Sequence, residues 1–485
     1  MSKARTFKKR VEGRGLNVSL SQNNPSPMDA FRALSNMELP FILGGAPCPG
    51  HRYSFTGAAP FMRLTLPAGS RTVELVNAPE DLQRLIKEEK KEGFFQTLSA
   101  IMKYLKTAGK AGLFPFNGGA AGFFSYDLGR SLLKMAGPRQ ENSKDHLGLP
   151  LACLGFYENI YVYDHSSEKG YIVSRSPEKK TAGDFSDCIE GAGGRGAQAE
   201  NPGNSMDAPL TSNTTVEEYI SALQRAKEYI AAGDIYQINL SQRLTTVYRG
   251  DAFALYEALV RENPTPFSSF FDFHGFQLLS NSPERLLKIT GRSLETCPIK
   301  GTRPRGVTPE EDVLNKKELA QSIKERAEHV MIVDLERNDL GRVARAGTVY
   351  VEKFEEIQSF SKLHHMVSTV RGEAPHDADP FMILKNIFPG GSITGAPKIR
   401  AMEIIDELES VPREVYTGAA GYMDFSGDMD LSITIRTAII KDGRLNLHVG
   451  GGIVADSVPQ AEYDETILKA MDFLSLLQMR PEGLA

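Results

Sequence analysis

Two pairs of glutamates and one lysine carry most of the chemistry this chain could do. Glu325 and Glu328 stand three residues apart in a stretch patterned as a helix over 309–330. Glu462 and Glu465 repeat that spacing in a second helical stretch, 459–478, with Lys469 four residues further on. Residues at i and i+3 share a helix face, so like charges stacked this way repel unless the face is solvated or a cation sits between them. The first alternative makes each pair a plain acidic surface. The second makes them a Mg²⁺ site, because Mg²⁺ takes one or two carboxylates and keeps several waters. The lysine is Lys300, in Thr296-Cys297-Pro298-Ile299-Lys300-Gly301-Thr302-Arg303-Pro304-Arg305-Gly306. It reads either as a solvated lysine in a basic loop or as an amine held where it can act as a nucleophile.

Three further segments bear on ligand binding. Val449-Gly450-Gly451-Gly452-Ile453 sets three glycines after a predicted strand at 445–449, either as a tight turn or as a loop that brings backbone N–H groups against an anion. Arg436 lies in an otherwise apolar stretch, 431–440, read as one strand. There it pairs with a buried carboxylate or clamps a ligand carboxylate with both guanidinium arms. Pro389-Gly390-Gly391-Ser392-Ile393-Thr394-Gly395-Ala396-Pro397-Lys398 leads into a helix at 397–409, with Pro397 near its first turn. Ala396-Pro397 separates Gly395 from Lys398, so this is not a Walker loop, and nucleotide binding of that kind is excluded.

The elements that must position these groups are mixed. Helices are expected from Thr214 to Gly233, where Val216, Tyr219, Ile220, Leu223, Ala226 and Ile230 recur at three and four residues, and at 309–330, 397–409 and 459–478. Strands are expected at 157–163, 235–241, 277–281, 285–290, 417–424, 431–440 and 445–449. Regular βαβ alternation is missing, which favours α+β over a doubly wound sheet. The chain divides by composition into a basic N-terminal tail at 1–36, a region at 37–178, a Gly/Asn-rich linker or loop at 179–213 and a region at 214–478.

With 485 residues, 41% of them hydrophobic and 24% charged, the chain has material for a sizeable globular core. A net charge of −5 argues against a dedicated nucleic-acid binder. No apolar run reaches the roughly 18 residues that a membrane span needs. The basic tail (Lys3, Arg5, Lys8, Lys9, Arg10, Arg14) is followed by no apolar stretch, so it reads as a solvated tail rather than a secretory signal. Cysteines 48, 153, 188 and 297 are spaced for neither zinc nor a disulfide framework. The expectation is a cytoplasmic protein with reduced thiols.

Taken together, Pro298 to Gly306, Ala327-Glu328-His329-Val330-Met331-Ile332-Val333-Asp334-Leu335-Glu336-Arg337-Asn338-Asp339-Leu340-Gly341 and the Gly390 to Lys398 loop resemble the chorismate-utilising enzymes. That family includes anthranilate synthase component I, aminodeoxychorismate synthase component I, isochorismate synthases and salicylate synthases. The resemblance runs through about 214–478. It continues more loosely through 37–130, on Arg52-Tyr53-Ser54-Phe55 and Gly118-Gly119-Ala120-Ala121-Gly122-Phe123-Phe124-Ser125-Tyr126-Asp127. It implies two packed antiparallel sheets with helices outside.

Individual positions choose a branch. Anthranilate synthases usually carry alanine where Lys300 stands, and lysine marks the aminodeoxychorismate synthase component I branch. The isochorismate and salicylate branches use a lysine base where Gln237 stands, which argues against water as the nucleophile. Asn263-Pro264-Thr265-Pro266-Phe267-Ser268 also looks like the aminodeoxychorismate branch. Leu43-Gly44-Gly45 replaces the Leu-Glu-Ser motif that helps anthranilate synthases bind tryptophan, so strong tryptophan inhibition is not expected.

The resemblance also implies roles. Glu328 and Glu465, with Glu325 and Glu462 beside them, would hold Mg²⁺, which anchors the ring carboxylate of chorismate. Arg436, Tyr416 and the amides of Gly450, Gly451 and Gly452 would hold the enolpyruvyl carboxylate. Thr302, Gly301, Gln237 and Lys469 would help position the substrate. Lys300 would attack C2 as the C4 hydroxyl leaves, with Glu284 as general acid and His365 nearby in the active site. Ammonia would then add at C4 and expel the lysine, giving 4-amino-4-deoxychorismate on the way to para-aminobenzoate and folate. The attack needs a neutral amine, and Mg²⁺, arginines and partial burial are expected to lower the lysine pKa. None of the four cysteines has the glycine-flanked setting of a glutaminase nucleophile, so a separate glutamine amidotransferase subunit is the expected ammonia source. The competing readings are anthranilate synthase component I, told apart by its product, and a non-catalytic chorismate-binding subunit, which would have lost a metal carboxylate or the lysine.

Overall fold

The computed structural model describes residues 16–89, 93–106, 112–133, 135, 146–175, 179–192, 209–360 and 362–479. Two antiparallel sheets form its centre. The first, of 12 strands among the described residues, runs in the order Asn17–Leu20, Lys169–Ser174, Asn159–Asp164, Tyr53–Gly57, Phe41–Leu43, Phe267–Asp272, Gln277–Ser282, Thr437–Lys441, Arg444–Ile453, Gln237–Val247 and Thr211–Ser212, with Gly395–Ala396 also on Gln237–Val247. The second, of 11, runs Ile299–Pro304, Leu363–Glu373, Ser293–Cys297, Arg285–Thr290, Met429–Ile433, Ala419–Asp424, Gly119–Phe124, Ala152–Tyr157, Met62–Leu66 and Glu74–Val76, with Tyr350–Ser359 paired to Leu363–Glu373.

The inner faces meet in an aromatic-rich core. Phe41, Phe55, Phe271 and Ile439 of the first sheet pack with Phe123, Tyr157, Ala420 and Tyr422 of the second. Helices cover the outer faces. Phe94–Leu105 and Pro380–Ile387 lie on the second sheet, and Ala252–Glu262 and Pro459–Leu476 on the first. Strands such as Gly119–Phe124, Ala152–Tyr157 and Ala419–Asp424 are buried at every position, as strands clad on both sides must be. The α+β class with two packed antiparallel sheets and helices outside is therefore met.

Residues before 178 and after 214 contribute to both sheets. Phe41–Leu43 pairs with Phe267–Asp272, and Gly119–Phe124 pairs with Ala419–Asp424.

Four local expectations change. Residues 179–191, read as linker, form a helix, Lys179–Gly191, whose Phe185 and Ile189 pack on Ala30, Leu34 and Tyr161. Of the glycines that suggested a linker, Gly193, Gly194, Gly196 and Gly203 lie outside the described residues, and so do Lys3, Arg5, Lys8, Lys9, Arg10 and Arg14 of the tail. The last part of that tail is structured: Asn17–Leu20 joins a sheet edge, and Pro27–Leu34 is a helix capped by Ser26. The single helix at 309–330 is two, Pro309–Gln321 and Ile323–Gly341. Ser322 breaks it by accepting the Glu325 amide hydrogen. Finally, 431–440 is not one strand. Met429–Ile433 belongs to the second sheet and Thr437–Lys441 to the first, and Arg436 sits at the corner between them with φ +51°.

Candidate active site

That corner, the ends of several strands and two helices enclose a cavity of about 180 Å³. It is the place where the sequence-predicted residues meet: Gln237, Glu284, Lys300, Gly301, Thr302, His365, Tyr416, Arg436, Gly450, Gly452, Glu465 and Lys469 all line it. Glu328 touches it through Lys300, whose Nζ lies 3.1 Å from Glu328 Oε2. Glu325 and Glu462 stand one step back. Glu325 pairs with Arg303 at 3.2 Å, and Glu462 accepts from Ser457 Oγ at 2.7 Å. Gly451 points its open side toward Glu462 and Lys469 rather than into the cavity.

The three glycines are not a loop. The strand Arg444–Ile453 runs straight through them, and Gly450, Gly451 and Gly452 pair with Ser241, Leu240 and Asn239. Three glycines in a row look like a turn because they weaken a strand; here close approach requires them. A Cβ on Gly452 would sit 3.2 Å from both Lys300 Nζ and Gln237 Nε2, and one on Gly450 would sit 2.7 Å from Tyr416 Oη. We expect Gly452→Ala to leave the fold intact and lower kcat/KM by about 10²-fold, the scale of a displaced reacting group. Steady-state kinetics beside a thermal melt checks this; an unchanged kcat/KM would show that Lys300 has slack.

Burial pulls the Lys300 pKa down, but the Glu328, Glu465 and Glu462 carboxylates outweigh that and raise it above the ordinary lysine value, the opposite direction to the one expected with Mg²⁺ on those carboxylates. Lys469 goes the other way. It donates to the Gly450 carbonyl at 3.0 Å and pairs with Glu465 at 2.7 Å, yet burial, with Lys300 and Arg436 nearby, lowers its pKa. Arg436 points one guanidinium nitrogen at Asp472, 2.8 Å away, which fixes the arm at the cavity wall.

Glu284 is fully enclosed and its pKa is pushed up to about 7 by burial, against the Ser392 hydroxyl that donates to it at 2.9 Å and the charges of Lys300 and Lys469. A carboxyl held near 7 can donate a proton at neutral pH. His365 is the reverse case: burial, then Arg436, lowers its pKa to about 3, so it is a neutral imidazole. Its Nδ1 lies 2.9 Å from Thr302 Oγ1, and the Gly301 backbone holds it as well. It positions the Lys300 strand rather than carrying charge.

Residues not anticipated from sequence complete the wall. Asn239 and His448 line the cavity two residues from Gln237 and Gly450 on their strands, and Ser392 reaches Glu284 from the Gly390 loop. The His448 ring stacks on Tyr416 at 5.3 Å and 12°. Period-2 spacing along the strands was the available signal for Asn239 and His448. The buried atoms Gln237 Oε1 and Asn239 Oδ1 have no hydrogen-bond partner among the described residues, so the cavity offers two acceptors to a ligand.

Behind Asn239, Arg413 is wholly buried. It pairs with Glu409 at 2.7 Å and donates to the Asn239, Ile393 and Thr417 oxygens. Arg413→Met should cost about 3–5 kcal/mol by stranding the Glu409 carboxylate, to be measured by urea unfolding. A loss under about 1 kcal/mol would mean that solvent reaches Glu409.

Among the described residues, no group of three or more His, Cys, Asp or Glu side chains closes into a ready metal cage. Glu328 and Glu465, from the helices Ile323–Gly341 and Pro459–Leu476, nevertheless act on one ammonium group, that of Lys300. Oxygen donors converging on a cation in this way suit Mg²⁺, which needs only one or two carboxylates. A second cavity, of about 220 Å³, is lined by Leu43, Gly44, Tyr53, Phe267 and Arg285 and lies apart from this chemistry.

Residues 60–475 match the family model described as chorismate binding enzyme. The chain is 39% identical to anthranilate synthase component 1 of Acetivibrio thermocellus over 93% of each chain. It is 42% identical to aminodeoxychorismate synthase component 1 of Klebsiella aerogenes over 75% of this chain and 78% of that protein. Among solved structures, anthranilate synthase component I from Streptococcus pneumoniae superposes with a TM-score of 0.74 at 30% identity, covering 88% of this chain and 93% of that one.

Proposed function

This chain belongs to the chorismate binding enzyme family, and from that premise we propose that it is the chorismate-aminating component of an aminodeoxychorismate synthase. The relatives of the two branches are similarly identical to it, so the reading rests on the site. One observation carries it: the Lys300 amine lies inside the cavity, 3.1 Å from Glu328 and facing Gln237, Gly452 and Glu465. An amine built into the wall is the group that a covalent route at C2 requires.

The residues divide the work as follows. Arg436, Tyr416 and the Gln237 and Asn239 side chains bind and orient the substrate's polar groups. Lys300 forms a bond to C2 as the C4–O bond breaks, and Glu284 gives its proton to the departing hydroxyl, which leaves as water. Ammonia then bonds to C4, the C2–N bond breaks, and the lysine is released. Mg²⁺ held by Glu328 and Glu465, with Glu325 and Glu462 beside them, would bind the ring carboxylate and, by taking up the carboxylates' charge, favour an uncharged Lys300.

Ammonia from a separate glutamine amidotransferase fits the thiols. Burial pushes Cys48 up to about 12 and Cys153 up to about 11, and it also raises Cys188 and Cys297, so none is a ready thiolate nucleophile.

The alternative is anthranilate synthase component I, favoured by the longer match to that branch. The test is to incubate the protein with chorismate, ammonium and Mg²⁺. We expect a product that an added aminodeoxychorismate lyase converts to para-aminobenzoate. Strong anthranilate fluorescence without a lyase would overturn this reading. No helix among the described residues is long and apolar enough to cross a membrane.

A further inference from the structure

The helix Ile323–Gly341 carries Glu325 and Glu328 in its first two turns, yet apolar packing does not hold those turns down. Of residues 323–331 His329 alone is buried, and the apolar contacts begin at Ile332 and Val333. What docks this end is polar. His329 is fully enclosed, and its Nε2 lies 2.6 Å from Ser368 Oγ on the strand Leu363–Glu373. The same Oγ accepts the Glu355 backbone N–H at 3.0 Å. The Ser368 N–H donates to the Pro298 carbonyl at 3.2 Å, two residues before Lys300. Ser368 thus touches the Glu328 helix, the segment leading into the Lys300 strand and the strand Tyr350–Ser359.

The strand Tyr350–Ser359 is shaped for this contact. Between the pairs Lys353↔Thr369 and Glu356↔Val367, two residues, Phe354 and Glu355, stand opposite Ser368 alone, which is a β-bulge. Glu355 takes φ +53° there, a left-handed conformation that is costly for a residue with a side chain. The bulge aims its amide at Ser368, and its carboxylate pairs with Arg326 of the helix at 2.8 Å. Adjacent residues on a helix point about 100° apart, so His329 faces the sheet while Glu328 faces Lys300, 3.1 Å away. Fixing His329 therefore fixes the rotation of this turn, and with it the distance of the Glu328 carboxylate from Lys300.

We propose that Ser368 and His329 form a clamp that holds Glu328 in place, both being positioning residues that act through Glu328 on the cation site it shares with Glu465. This rests on the reading of those carboxylates as the Mg²⁺ site.

His329→Leu fills the buried volume and removes the polar contact, whereas His329→Gln keeps a hydrogen-bonding atom at about the reach of Nε2. Calorimetric titration with Mg²⁺ alone should show about tenfold weaker affinity in His329→Leu, the scale for losing a supporting contact behind a metal ligand. His329→Gln should stay close to wild type. Amide exchange read by mass spectrometry should be about five- to tenfold faster across residues 327–331 in His329→Leu, with 335–341 unchanged. A role in packing alone predicts the reverse order, with the leucine variant preserved and the glutamine variant impaired, and that order would overturn the clamp. Faster exchange with unchanged Mg²⁺ affinity would overturn it as well. If His329→Leu does not fold, Ser368→Ala is measured in its place, with the same expected changes. A wild-type protein that binds no Mg²⁺ would remove the metal reading, and exchange would then decide the clamp: unchanged rates across 327–331 overturn it, and faster rates that His329→Gln restores support it.

Discussion

Replacing Lys300 with alanine is expected to lower the amination of chorismate by about 10³-fold or more, the scale set by loss of a covalent nucleophile. The side chain lies in the cavity with its amine among carboxylates from two helices, so its removal takes away the attacking group and one cation from the Glu328–Glu465 site. The substitution shortens a partly exposed side chain at a cavity edge, so the melting temperature should change little. Two readouts check this: the rate of para-aminobenzoate formation in a coupled assay, and intact mass after quenching with chorismate and Mg²⁺ but without ammonium. The wild-type protein should gain the mass of the dehydrated substrate, and Lys300→Ala should not. Full amination by the alanine variant would remove the covalent route, although the fold and family would stand.

The second large effect falls on Glu284. Glu284→Gln keeps the hydrogen bond to Ser392 possible and removes the transferable proton, and kcat should fall by about 10²–10⁴-fold. The sign of the pH dependence follows from the raised pKa. Burial holds the carboxyl protonated up to about 7, so the working form is present at lower pH and is lost as pH rises through that value. Wild-type kcat/KM should therefore fall on the alkaline side, and the residual activity of Glu284→Gln should lack that limb. A variant with an unchanged profile would assign the limb to another group.

Much of this site was legible in the linear chain because its chemistry sits in short segments. Lys300 to Thr302, Glu325 to Glu328 and Glu462 to Lys469 each span a turn or two of helix or a few strand residues, and local spacing gives their relative placement. What local spacing cannot convey is pairing between distant segments. Arg436 looked like an intruder in one strand because nothing local says that the chain changes sheets after Ile433. Gly450 to Gly452 looked like a turn because their need for openness comes from Lys300, Gln237 and Tyr416, all remote in sequence. The Lys300 amine was expected to be depressed, yet the carboxylates meant for a metal also reach it and raise it instead.

Because Phe41–Leu43 lies between Phe267–Asp272 and Tyr53–Gly57, and Gly119–Phe124 lies between Ala419–Asp424 and Ala152–Tyr157, trimming the gene to its best-matching stretch would not liberate a catalytic half. A fragment starting at residue 214 would expose two long raw edges, one per sheet, each a template for self-association. Supplying the missing half as a separate polypeptide should restore solubility by strand complementation.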